Sequence, residues 1–70
     1  MTQNERVYKY MKDFGTITQA QAFSDLGVYR LASRINDLRR MGVLIKSDRK
    51  QGKNRYGETV YFAEYSLIDI

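Results

Sequence analysis

Cysteine, histidine, tryptophan and proline are all absent from the 70 residues. Without cysteine there is no disulfide and no thiolate metal site, and the absence fits a reducing compartment. Ser24, Ser33, Ser47 and Ser66 have no histidine to serve as a general base. No glycine-rich phosphate loop opens a helix, and the carboxylates are not clustered as a metal would need. The chain therefore reads as a non-enzyme with no cofactor and no metal. No apolar run approaches the roughly 18 residues that cross a bilayer. The N-terminus lacks a signal-peptide pattern, so a cytoplasmic protein is expected.

What remains is one short domain, residues 1–70, of a size that buries only about 60% of its unfolded surface. Its formal net charge is +4, and the distribution is uneven. Residues 46–55 carry +4, from Lys46, Arg49, Lys50, Lys53 and Arg55 against Asp48. Residues 30–40 carry +3, from Arg30, Arg34, Arg39 and Arg40 against Asp37, and the remainder sums to −3. Two neighbouring segments thus hold the whole positive excess, a pattern that points to a polyanionic partner.

With no proline, glycine does most of the punctuation. Gly15, Gly27 and Gly42 each follow a helix-like segment, where left-handed backbone is expected. Thr2 and Glu5 form a capping box, and Val7, Tyr10, Met11 and Phe14 follow on one helical face. Thr16-Ile17-Thr18 is β-branched throughout and reads as extended. Thr18 and Gln21 form a second capping box, opening a short helix with Ala22, Phe23 and Leu26 on its apolar side. A third helix is expected over residues 29–41, with Leu31, Ile35 and Leu38 as its core stripe. Arg30, Ser33, Asn36, Asp37 and Arg40 lie on its far side, and Arg34 and Arg39 flank the stripe.

After Gly42, the run VLIKS reads as a strand, and residues 59–68 read as another. Between them, RKQGKNRYGE (residues 49–58) reads as a hairpin loop, longer than the usual two to five residues. Tyr56 is expected to pack at the base of that loop. On the last strand, Tyr61, Ala63, Tyr65 and Leu67 share the face assigned to the helices. Val60, Phe62 and Leu44 then form an outer apolar strip through which two copies could pair as a homodimer.

Two short helices joined through LGVYR make a helix-turn-helix, and a hairpin after the second of them makes a wing. The expected fold is α+β, a winged helix-turn-helix: three helices with a C-terminal β-hairpin wing. The helix-turn-helix spans 18–41 and the wing 43–67. Residues 6–67 resemble a small helix-turn-helix family common in bacteriophage and prophage genomes. The resemblance rests on Ile17, Thr18, Ala22, Leu26, Gly27, Arg30, Leu31, Ala32, Arg34, Ile35, Leu38, Arg39, Gly42, Tyr65 and Leu67. Met41 and Val43 depart from it, since many relatives carry Lys or Arg and an aromatic there. The resemblance implies a winged helix, presumed DNA binding and a bacterial host cell, with no particular operator.

The chemistry of the residues supports the same partner, double-stranded DNA. A helix fits the major groove, where base edges distinguish all four pairs. Arg30 and Arg34 suit guanine, Asn36 suits adenine, and Ser33 suits a base or a phosphate. Asp37 either accepts from cytosine or pairs with Arg34 or Arg40. Tyr29 and Arg40 complete the helix-side set. Arg49, Lys50, Lys53, Asn54 and Arg55 form the wing set, facing phosphates or the minor groove. With roughly four to seven phosphate contacts, log K should fall against log salt with a slope of about −4 to −6. Two functions fit this reading. One is a small phage or prophage transcriptional regulator or excision/recombination accessory factor. The other is a winged-helix adaptor that binds a host or phage protein. Single-strand or RNA binding fits less well, because the aromatics fall at core spacing.

Overall fold

The computed structural model describes residues 1–68. Its elements are α1 (Gln3–Phe14), β1 (Thr16–Thr18), α2 (Gln19–Leu26), α3 (Leu31–Arg40), β2 (Ile45–Lys53) and β3 (Thr59–Leu67). The expected α+β architecture is present. The strands form one antiparallel sheet in the order β1-β3-β2.

Both capping boxes form. Thr2 Oγ1 accepts from the Glu5 amide at 3.1 Å, and the Glu5 carboxylate accepts from the Thr2 amide at 3.0 Å. The Thr18–Gln21 pair repeats the arrangement at the start of α2. Gly27 closes α2 in left-handed geometry (φ 69°), which lets its amide reach the Phe23 carbonyl and the next amide reach Ala22.

The core gathers Val7 and Met11 of α1, Ile17 of β1, Ala22 of α2, Leu31, Ile35 and Leu38 of α3, and Ile45 of β2. Val28, from the turn between α2 and α3, is fully buried among them. That insertion helps a helix of 8 residues persist: the buried Ile17 and Val28 on either side of α2 anchor it to the core, in addition to its own capping hydrogen bonds.

Several expectations need correction. α3 begins at Leu31, two residues later than expected, because Val28 turns inward and Arg30 keeps a non-helical backbone (φ −122°, ψ 69°). Phe14 and Phe23 lie outside the core; Phe14 stacks on Tyr10, and Phe23 meets Tyr29 edge-on. The largest difference is in the hairpin. β2 runs on to Lys53, so the loop is residues 54–58 and not 49–58. This strand has no apolar alternation; its extended form is specified by nine paired positions on β3, from Ile45 opposite Leu67 to Lys53 opposite Thr59.

The long hairpin outruns the helices. Tyr65 and Leu67 pack on the core as expected, but Tyr61, on the same face, is exposed beyond it. The outer apolar strip is also interrupted. Leu44 lies at one end and Val60 and Phe62 at the other, with the pairs Lys46–Ser66 and Asp48–Glu64 between them.

Candidate nucleic-acid interface

Two cationic surfaces emerge from this frame, one on α3 and one on the hairpin. The entry to α3 sets the first. Arg30 stands at the N-cap position but supplies no capping hydrogen bond. The cap comes from α2: Gln19 Oε1 accepts from the Leu31 amide at 2.9 Å, while Gln19 Nε2 donates to the Val28 carbonyl at 2.9 Å. One amide side chain thus bridges the turn and the start of α3. This leaves Tyr29 and Arg30 exposed at the leading end of α3.

Along the helix, Asn36 and Arg40 are exposed and Ser33 is half-buried. Arg34 is drawn to the side. Its guanidinium meets Asp37 at 3.2 Å, and its side chain is only 31% exposed. Arg40 approaches the other oxygen of Asp37 at 3.8 Å. Asn4, from the first turn of α1, donates to Asp37 at 3.5 Å. Asp37 therefore takes the ion-pair arrangement of the two considered for it. Arg39, which the helical wheel put on the flank, donates to the Ile45 carbonyl at 2.9 Å and ties α3 to the start of β2.

The hairpin residues divide by strand parity. Arg49 sits 4.3 Å over the Tyr61 ring, on the face that continues from the core. Lys50 lies on the opposite face, 3.9 Å from Glu64. Lys53 donates to Thr59 at 2.7 Å across the last strand pair. Asn54 is the organiser of the turn. Its Oδ1 accepts from the amides of Tyr56 and Glu58, and its Nδ2 donates to the Glu58 carboxylate. Arg55 and Tyr56 occupy the tip, and Tyr56 is 85% exposed, not packed at the base.

The profile of a winged helix-turn-helix domain family matches residues 2–69. The chain belongs to this family. No curated protein and no solved structure gave a significant match. Domains of this family are in general DNA-binding modules. Among the described residues, no helix is long and apolar enough to cross a membrane.

Tyr29 and Arg30 are exposed just before α3 begins, and along α3 Asn36 and Arg40 are exposed and Ser33 is half-buried. The fold engages Arg34, Asp37, Lys50, Lys53 and Asn54 with protein partners. Sequence reasoning missed Gln19 and Asn4. Their partners lie nine or more residues away, so no local spacing marks them.

Proposed function

We propose that this winged helix binds double-stranded DNA with α3 in the major groove and the wing across the adjacent backbone. The arrangement that carries the reading is a cationic recognition helix beside a basic hairpin that projects past the core. Residues 48–53 of β2 lie beyond that core, and six residues at about 3.3 Å each extend roughly 20 Å. Half of a ~34 Å helical turn separates a major groove from its neighbouring minor groove, about 17 Å. The wing is thus long enough to carry Arg55 across the phosphate ridge, where an arginine suits a narrow minor groove.

Arg30, Ser33, Asn36 and Arg40 are the base-side candidates, with Tyr29 at the phosphate edge. Arg49, Lys50, Lys53 and Arg55 supply sequence-independent attraction. The biological role we propose is that of a small phage or prophage regulator or an excision/recombination accessory factor, which the resemblance to phage and prophage helix-turn-helix proteins supports.

Fluorescence anisotropy with duplexes selected from a random pool tests the proposal. The expected result is binding at low salt, with a log–log salt slope of about −4 to −6. Absence of binding to any duplex at low salt would overturn it. Salt-insensitive capture of a protein partner would favour the adaptor reading instead.

A further inference from the structure

Arg34, Asp37 and Arg40 stand on successive turns of α3, three residues apart. One carboxylate faces two guanidiniums: Oδ2 meets Arg34 at 3.2 Å, and Oδ1 meets Arg40 at 3.8 Å. The same Oδ2 accepts from Asn4 Nδ2 at 3.5 Å, so α1 is tied to the ladder as well. The three side chains differ in exposure. Arg40 is 81% exposed, whereas Arg34 and Asp37 are about two-thirds covered, at 31% and 33%.

An acidic residue on a helix proposed to enter DNA opposes the phosphates and weakens binding to every sequence alike. Its presence needs a reason other than affinity. Two further polar atoms of this cluster, Arg34 Nε and Asn4 Oδ1, are buried beside it with no protein partner among the described residues.

Resting on the DNA-binding reading, we propose that Asp37 is a positioning residue that sets sequence discrimination. It holds the Arg34 guanidinium back along α3, largely covered, and aligns Arg40 along the helix. Arg40 then meets DNA as an oriented fork and Arg34 is withheld, instead of both acting as free charges that any phosphate satisfies. Discrimination is a difference between affinities, and the carboxylate raises it by penalising the unselective mode.

The test compares wild type, Asp37→Asn and Asp37→Glu on two duplexes, one selected from a random pool and one scrambled from it. Asp37→Asn is nearly isosteric and releases both arginines. Its affinity for the scrambled duplex should rise about threefold or more, in line with the loss of two partly exposed ion pairs. Its salt slope should steepen by about 1, for one added phosphate contact. The selected-to-scrambled ratio should fall accordingly, and Asp37→Glu should retain most of it.

Loss on the selected duplex with no gain on the scrambled one would make Asp37 a direct base contact and overturn the proposal. An unchanged ratio and slope, with only a lower melting temperature, would reduce the ladder to a structural tie and overturn it too. These outcomes differ from failure of DNA binding itself, in which the wild type would bind neither duplex.

Discussion

Gly52 and Phe62 meet across the wing: a Cβ placed on Gly52 would lie 3.3 Å from Phe62 Cε1. Gly52 does not have a positive φ, so an alanine there meets no backbone strain. Phe62 is 40% exposed and sits on a ribbon open to solvent, so its ring is free to give way. Gly52→Ala should therefore be neutral or stabilise the fold by up to about 1 kcal/mol, through a less flexible unfolded chain. Thermal denaturation checks this; a loss of more than ~1 kcal/mol would mean that the Phe62 ring is fixed in place.

Gln19 bridges the turn and the start of α3 through two backbone groups, the Val28 carbonyl and the Leu31 amide. Gln19→Ala leaves both without their partner and should destabilise the domain by about 1–3 kcal/mol. The variant should also bind every duplex more weakly, since α3 loses its external cap. Urea denaturation and anisotropy titration at matched folded fraction separate the two effects.

The capping box of α1 makes an acid-side contribution to stability. Hydrogen bonds from Thr2, its backbone amide foremost, hold the Glu5 carboxyl below its ordinary value of 4.5. A folded-state pKa below the unfolded one means that the stabilisation is present above the unfolded value. It is lost as pH falls through the folded one. Wild type should melt above Glu5→Gln by a constant margin at pH well above the ordinary carboxyl value of 4.5, and that margin should close as the pH falls below it. A margin independent of pH would show that the carboxylate charge is irrelevant to the cap.

The wing cations should act on affinity and leave preference untouched. Lys50→Ala, Lys53→Ala and Arg55→Ala should each weaken the selected and scrambled duplexes by the same factor and flatten the salt slope by about 0.9. Asn36→Ala should lower the preference instead, with little change in slope, because an amide carries no charge to release counterions. A selective loss from the wing variants would place base reading in the hairpin.

Much of the fold was legible because its signals are local. Thr2 with Glu5, and Thr18 with Gln21, announce helix starts within four residues. Leu31, Ile35 and Leu38 mark the buried side of α3 by spacing alone. The extent of β2 was not legible, since Lys46, Ser47, Asp48, Arg49, Lys50 and Gln51 carry no period-two apolar signal. Pairing with β3 decides it. For the candidate site, the wheel of α3 separated Asn36 and Arg40 from the core correctly. It could not reveal that α1 brings Asn4 against Asp37, nor that Gln19 caps α3. Both depend on how helices pack, which no spacing along one helix encodes.

The wing is a ribbon with two free sides. β1 pairs with β3 only at residues 64–66, and among the described residues no strand pairs with the outer side of β2. Residues 59–63, TVYFA, are uncharged and rich in β-formers, the profile of a segment that recruits further strands into aggregates. What stands beside them is Arg49, Lys50 and Lys53, one strand away. These cations repel a second ribbon as effectively as they would attract a phosphate, so stripping them would leave the protein prone to stacking edge to edge. On the DNA-binding proposal, the side chains that guard the ribbon against association are the same ones that would hold the nucleic acid, so a substitution aimed at one property would move the other.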